Sequence, residues 1–109
     1  MLLTDKTKED FLKYYNNHSI RFLLSWTIFE DLPLVVQNAL IIEWLDSVYF
    51  YVTIDREENM FIYTIDYPND IYFSNWDDLY FETRSEATGK AIEKANEIYN
   101  NLNTKENEK

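Results

Sequence analysis

Apolar and polar residues alternate with a period of two through the middle of the chain, which is the pattern of half-buried β-strands. VYFYVTID (48–55) and MFIYTIDY (60–67) are rich in β-branched and aromatic residues, which favour strands. The polar tetrapeptide REEN (56–59) separates these two segments. We therefore predict an antiparallel hairpin with its turn at 56–59.

The alternation continues after this hairpin in shorter segments. PND (68–70) is composed of residues that favour a turn. IYF (71–73) and LYFET (79–83) lie on either side of the polar loop SNWDD and predict two further short strands. The whole region therefore predicts an antiparallel β-meander of about four strands.

Helical spacing marks the first segment, LTDKTKEDFLKYYNNHS. Thr4 or Asp5 can serve as the N-cap, and Asn16-Asn17 suits a helix end. The apolar stripe between these signals consists of Phe11, Leu12, Tyr14 and Tyr15. We predict a helix over about 5–17.

The clearest helical pattern is TRSEATGKAIEKANEIYNNL. Thr83 and Glu86 have the spacing of a capping box at its start. One narrow, alanine-rich face contains Ala87, Ala91, Ala95, Ile98 and Leu102, with Ile92 and Tyr99 at its sides. We predict a helix over about 85–102 that can lie close against a sheet.

Residues 20–47 carry a more ambiguous pattern. In IRFLLSWTIFEDL (20–32) the alternation favours a strand, whereas the length and the leucine content permit a helix. Pro33 ends this segment, and a turn of helix is predicted at 33–38. ALIIEWLDS (39–47) is either a buried strand or the continuation of a helix from Pro33.

These elements predict an α+β fold in which the meander packs against the N-terminal and C-terminal helices. The chain has 109 residues, of which 46% are hydrophobic, and this is the length and the material of one domain. We predict a single domain over 1–102. The polar segment NTKENEK (103–109) predicts a flexible tail.

The composition excludes several kinds of site. The chain has no cysteine and one glycine, so it has no disulfide, no cysteine nucleophile and no glycine-rich phosphate loop. Charged residues follow Met1 at once, so no signal peptide is expected, and no apolar run is long enough to span a membrane. These features favour a reducing cytoplasm.

The acidic residues do not form a recognisable catalytic pattern. His18 is the only histidine, and no nucleophile motif accompanies it. Asp77 and Asp78 would point apart in a strand, as a glycosidase pair should not. No lysine occurs between Lys13 and Lys90, which removes the acid-and-lysine cluster expected of a metal-dependent nuclease. We therefore predict a protein that is not an enzyme and has no cofactor or metal site.

The net charge of -10 is unevenly distributed. Residues 22–83 contain twelve acidic residues and one basic residue, Arg56, whereas 1–21 and 84–109 are close to neutral. Such a field repels nucleic acids and anionic membranes and attracts basic proteins. We therefore predict a basic protein partner, with no direct contact to nucleic acid or membrane.

The candidate partner-binding residues lie in the strands and loops of this acidic region. Alternate residues of a strand are about 6.6 Å apart on one face, close to the roughly 6–7 Å between alternate phosphates along a nucleic-acid strand. An exposed tryptophan among them could anchor an interface. The alternative is that these acids only solvate an aromatic-rich domain. The candidates are Asp55, Glu57, Glu58, Asp66, Asp70, Trp76, Asp77 and Asp78.

Two segments carry a resemblance to known proteins. FEDLPLVVQNALIIEWLDS (29–47) and YFETRSEATGKAIEKANEIYNN (80–101), with LTDKTKEDF at the start, resemble a group of small, mostly uncharacterised phage and prophage proteins of Bacteroidetes-type bacteria. The resemblance implies that 39–47 is a strand. It implies no activity and no catalytic residues, but it does imply a mobile-element setting. A small acidic protein without cysteine in that setting looks like an inhibitor of a host-defence nuclease, such as an anti-CRISPR protein.

The predicted function is thus the binding and inhibition of a basic nucleic-acid-handling protein, with a CRISPR effector nuclease or its RNA-binding channel as the expected target. The alternative is a small structural or oligomerisation module of a mobile element with no inhibitory role. In that case the chain would be a homo-oligomer joined through an exposed strand edge or aromatic face.

Overall fold

A computed structural model describes residues 2–17 and 29–107. Most of the ambiguous segment 20–32 lies outside these residues, and only its end, Phe29–Asp31, is seen as a turn of 3-10 helix. The described elements are α1 (Asp5–Asn17), α2 (Leu34–Ser47), β1 (Tyr51–Glu57), β2 (Met60–Tyr67), β3 (Asp70–Phe73), a second 3-10 turn (Ser74–Asp77) and α3 (Arg84–Asn107).

The described strands form one antiparallel sheet in the order β1-β2-β3. The register places Ile54 opposite Tyr63 and Ile65 opposite Tyr72. Both connections are tight turns whose bends contain a left-handed residue, Glu58 with φ 56° and Asn69 with φ 68°. The predicted hairpin is confirmed, with a shorter turn than the predicted 56–59 because β1 continues to Glu57.

The prediction of a fourth strand at 79–83 is wrong. Among the described residues the sheet has three strands, and the segment meets β2 at the single bridge between Phe61 and Phe81. These two residues exchange both backbone hydrogen bonds, at 2.7 and 2.9 Å. Arg84 already begins α3, so too little chain remains after Phe81 to extend the pairing into a strand.

The expectation of a strand at 39–47, taken from the resemblance, is also wrong. Residues Leu34–Ser47 form α2, which begins directly after Pro33. Proline suits this position because its φ is already near the helical value and its missing N–H would have no partner there. The alternative weighed from the pattern, a helix continuing from Pro33, is therefore correct. Its buried side chains follow helical spacing: Gln37, Asn38, Leu40, Ile41, Trp44 and Leu45.

Helix α3 is the element that gathers the others. It packs on β1 and β2 and also contacts α1 and α2, while α2 contacts β1. The helices thus cover one face of the sheet, and the α+β class is confirmed. The predicted alanine-rich face is fully buried at Ala87, Ala91, Ile92 and Ala95.

The two ends of α3 compare differently with the predicted helix over about 85–102. The backbone N–H of Glu86 donates to Thr83 Oγ1 at 3.1 Å, which confirms the capping role of Thr83. At the other end the helix continues to Asn107, beyond the predicted end at residue 102.

Two asparagines of α3 hold the start of α1. Asn96 Oδ1 accepts the Thr4 N–H at 2.9 Å, and Asn100 Oδ1 accepts the Thr7 N–H at 2.9 Å. The Thr7 hydroxyl, which is fully buried, also donates to Asn100 Oδ1 at 2.8 Å. Side chains of α3 therefore satisfy first-turn N–H groups that a helix cannot satisfy itself.

We predict that Ala91→Leu destabilises the protein by about 1–3 kcal/mol, because a larger side chain at this fully buried position must push α3 off the sheet. The free energy of unfolding from urea denaturation measures the effect. An unchanged midpoint and slope would show that α3 does not lie in close contact with the sheet at this residue.

The matched change on the same helix is Gly89→Ala, which we expect to stabilise the protein by about 1 kcal/mol. A Cβ atom at Gly89 meets no other atom within 4 Å, so alanine brings only its better helix propensity. The same urea titration tests this, and a loss of stability would contradict the open surroundings of Gly89.

Candidate partner-binding surface

The sheet face that points away from the helices carries three of the candidate acids. Tyr63 and Ile65 are buried toward the helices, so the residues of opposite parity form what we call the outer face. Asp55, Glu57 and Asp66 belong to this face by their register with Ile62, Met60 and Tyr51. All three carboxylates are exposed.

The outer-face acids lie at two ends of the sheet. Asp55 and Glu57 are alternate residues of β1, about 6.6 Å apart along the strand. Asp66 pairs with Tyr51 at the other end of β1, which places it about 13 Å from the level of Asp55. Asp55 and Glu57 therefore lie side by side on one face, as their sequence spacing predicts, and Asp66 lies apart from them on the same face.

Trp76 lies close to the Glu57 end. The 3-10 turn Ser74–Asp77 leaves Trp76 62% exposed, with its ring centroid 4.7 Å from that of Phe73. Asn75 Nδ2 donates to Glu57 Oε2 at 3.4 Å, which links the turn to β1. The structure thus brings Trp76, Glu57 and Asp55 to one part of the molecule.

Asp70 and Asp77 face tyrosines instead. Tyr67 donates its hydroxyl to Asp70 Oδ2 at 3.3 Å, and Tyr72 donates to Asp77 Oδ2 at 2.6 Å. Tyr67 and Tyr72 share the strand parity of the buried Tyr63 and Ile65. These two acids are consequently turned away from the outer face.

Glu58 and Asp78 are exposed residues of tight turns. Each adopts a left-handed backbone, with φ 56° and 58°, a conformation that aspartate tolerates better than most other residues. Glu58 lies in the β1–β2 turn and Asp78 follows the 3-10 turn. Asp78 therefore has a local conformational reason in addition to any role of its charge, whereas Glu58 does not.

The ion pairs of the described residues lie within the helices. Lys6 and Lys13 pair with acids of α1, and Lys90 and Lys94 pair with acids of α3. Among residues 29–83, which contain all eight candidates, the structure describes no such pair. No ion pair described for this region neutralises the exposed acids of the sheet, so their negative potential extends into the solvent.

Tyr72 lies in surroundings that shift its pKa. Burial, followed by the hydrogen bond to Asp77, raises the pKa of Tyr72 well above its ordinary value. Lys94 Nζ lies 4.8 Å from the centre of the same ring. These contacts fix the Asp77 carboxylate at the edge of the sheet.

Two features of the surface escape the sequence reasoning. Asn75 links Glu57 to the 3-10 turn, and nothing in its sequence neighbourhood marks it. Exposed apolar residues of α2, Leu34 and Val35, adjoin a groove that the strand expectation for 39–47 concealed. The signal was present, because Leu34, Val35, Asn38, Ala39 and Ile42 have the spacing of one helix face.

Within residues 2–17 and 29–107, no three carboxylate or histidine side chains lie close enough to hold a metal ion together. None of the helices in this part of the chain combines the length and apolar composition that crossing a membrane requires. Comparison with protein-family models, curated proteins and solved structures found no match to this chain. The resemblance to phage and prophage proteins therefore stays a prediction.

We predict that Tyr72→Phe lowers the free energy of unfolding by about 1 kcal/mol near neutral pH, because Asp77 loses its hydroxyl donor. The pKa of Tyr72 is higher in the folded protein than the value of about 10 expected in the unfolded chain. This contribution is present below pH 10 and is lost as the pH rises through the folded pKa.

The difference between wild type and Tyr72→Phe should therefore shrink at alkaline pH. Urea denaturation at about pH 8 and about pH 11 measures it. Tyr49→Phe is the control, since Tyr49 is exposed and outside this contact. A difference that stays constant between the two pH values would contradict the coupling of Tyr72 to Asp77.

Proposed function

We propose that this chain is a non-enzymatic acidic protein that binds and inhibits a basic nucleic-acid-handling protein of host defence. The target class is an RNA-guided nuclease, as for anti-CRISPR proteins, and the setting is the bacterial cytoplasm. The observation that supports this proposal is the exposed outer face, whose carboxylates have no basic partner among the described residues.

The chemistry of such a target complements this face. RNA-guided nucleases hold the guide–target duplex in a positively charged channel and contact its backbone rather than its sequence. Asp55 and Glu57 on β1 present carboxylates at about the spacing of alternate phosphates. Because they are carried by a hydrogen-bonded strand, their positions need little reorganisation on binding.

Trp76 would supply the short-range part of the interaction. Exposed tryptophans are common interface anchors, and an indole beside a carboxylate also suits the guanidinium of an arginine. Phe73 supports the Trp76 ring at 4.7 Å, so the ring is positioned before any partner arrives. Asp55, Glu57 and Trp76 are the proposed core of the interface, and Glu58, Asp66, Asp70, Asp77 and Asp78 extend its charge.

The distribution of ion pairs directs the field toward the sheet. Four acids of α1 and α3 pair with lysines one turn away on the same helix, namely Glu9, Asp10, Glu93 and Glu97, whereas the acids of the sheet have no such pair among the described residues. An incoming basic partner is therefore steered to the sheet, and this steering weakens as salt screens it.

We predict that a guide-loaded RNA-guided nuclease binds this protein and that Asp55→Lys with Glu57→Lys weakens binding about tenfold or more. The control is Glu43→Lys with Asp46→Lys on α2, which changes the net charge equally at exposed positions away from the outer face. Dissociation constants at about 50 and 300 mM salt measure the effect, and the wild-type affinity should fall at the higher salt.

Equal losses of affinity in the two double variants would show that only net charge matters. An affinity that does not change with salt would contradict the electrostatic basis of the proposal.

The second candidate function is a homo-oligomerisation module. It is favoured by the exposure of Tyr51 and Ile71 on the outer face, where both residues pair with Asp66. A stable oligomer in light scattering, with no nuclease binding, would select that candidate.

A further inference from the structure

An apolar groove lies between the first turns of α2 and α3, on a different part of the molecule from the outer face. Its volume is about 520 Å³, within the range of sites that hold small molecules or peptide side chains. The groove is lined by Leu34, Val35, Asn38, Ala39, Ile42, Arg84, Ser85 and Thr88. We call it the α2–α3 groove.

The α2 wall of this groove is mostly aliphatic, the α3 wall is polar, and none of the lining residues is a carboxylate. Leu34 and Val35 are 61% and 76% exposed, so they present adjacent apolar surface at the rim of the groove. The acids nearest in sequence are Glu43 and Glu86, which follow Ile42 and Ser85 directly but do not line the groove. In a chain with twenty acidic residues, this is a surface that an anionic group can approach.

Asn38 gives the groove a polar centre. Its side chain is 9% exposed, and its Oδ1 has no hydrogen-bond partner among the described residues. A buried, unpaired amide oxygen is costly and calls for an explanation. The terminal carboxamide rotates about a soft torsion, so it can turn Oδ1 to a donor in the groove. A peptide N–H is a donor of matching chemistry.

The α3 end of the groove carries a cationic side chain, Arg84. Arg84 begins α3, and its guanidinium carbon lies 5.3 Å from the centre of the Phe61 ring. Arg84 Nη1 also makes a long contact, 3.4 Å, to the Ile54 carbonyl, so other guanidinium N–H groups remain for a ligand. The positive end of the helix dipole coincides with this side chain.

From these features we infer that the α2–α3 groove binds the C-terminus of a peptide that ends in an aliphatic residue. The aliphatic side chain packs between Val35, Ala39 and Ile42. The last peptide N–H donates to Asn38 Oδ1. The terminal carboxylate binds Arg84 and the start of α3, in the manner of other backbone carboxylate sites.

Other occupants match fewer of these features. A fatty acid has the apolar tail and the carboxylate but no N–H for Asn38. A second copy of this chain brings further negative charge to a molecule of net charge -10, which opposes self-association. The peptide terminus is the chemistry that satisfies the aliphatic walls, the orphan amide and the cation together.

The test is a fluorescence-anisotropy titration with a labelled hexapeptide ending in Val-Leu with a free carboxylate. We expect saturable binding, and about tenfold weaker binding of the same peptide with an amidated end, because the charge-assisted contact is lost. Ala39→Trp should abolish binding by filling the groove from an exposed position, and Arg84→Gln should weaken only the free-acid peptide. Asn38→Leu should weaken both peptides.

Asp55→Lys with Glu57→Lys is the control, since it alters the outer face and should leave peptide binding unchanged. This separates failure of the groove from failure of the proposed function. No saturation at about 1 mM peptide, equal binding of the amidated peptide, or indifference to Ala39→Trp would overturn the inference. Stronger binding of decanoate, or a dimer in light scattering that Ala39→Trp disperses, would assign the groove to a lipid or to a second copy instead.

Discussion

The contact between the alanine face of α3 and the sheet determines how the rest of the molecule is arranged. Ala87, Ala91 and Ala95 are fully buried, and their short side chains let the helix backbone approach β1 and β2 closely. A helix held this close also has its sides within reach of α1 and α2. One helix therefore organises the helical layer, and the opposite face of the sheet is left to the acids and Trp76.

Charge follows this division of the molecule. The helices α1 and α3 carry both signs and pair them internally, whereas the sheet concentrates one sign. Like charges on neighbouring strand positions repel and lower stability slightly, so the arrangement on the outer face is not what stability by itself favours. Among the eight candidates, tyrosine hydroxyls donate to Asp70 and Asp77, which lie at the edge of the core rather than on that face.

The sequence predicts those elements of the fold that have a regular hydrophobic period and a recognisable residue at their start or end. The hairpin, α1 and the start of α3 have alternation, helical stripes or a cap, and the structure confirms them. ALIIEWLDS lacks a readable period because nearly every position is apolar, and only Pro33 pointed to a helix. At 79–83 the strand composition was real, but the single Phe61–Phe81 bridge depends on how the 3-10 turn redirects the chain.

The candidate surface divides in the same way. Alternation along β1 and β2 places Asp55, Glu57 and Asp66 on one face, and sequence spacing is enough to foresee this. Two other candidates, Asp70 and Asp77, contact the hydroxyls of Tyr67 and Tyr72 instead. These contacts depend on the strand register and on the turn after Phe73, and a local sequence pattern reveals neither. The α2–α3 groove is formed by residues of two helices that are far apart in sequence, so the pattern of a single segment does not predict it.

The asparagine pair that holds α1 has a consequence for the order in which the chain acquires structure during synthesis. Thr4 and Thr7 are made before α3, yet their N–H groups are accepted by Asn96 and Asn100, which are 92 and 93 positions later in the chain. A nascent chain that stops short of these asparagines lacks the cap of its own first helix. A short isolated helix is marginal in water, so α1 gains its full stability only when α3 arrives. A capped α1 is thus expected only in chains that include α3, and we expect proteases to cleave shorter chains within the α1 segment.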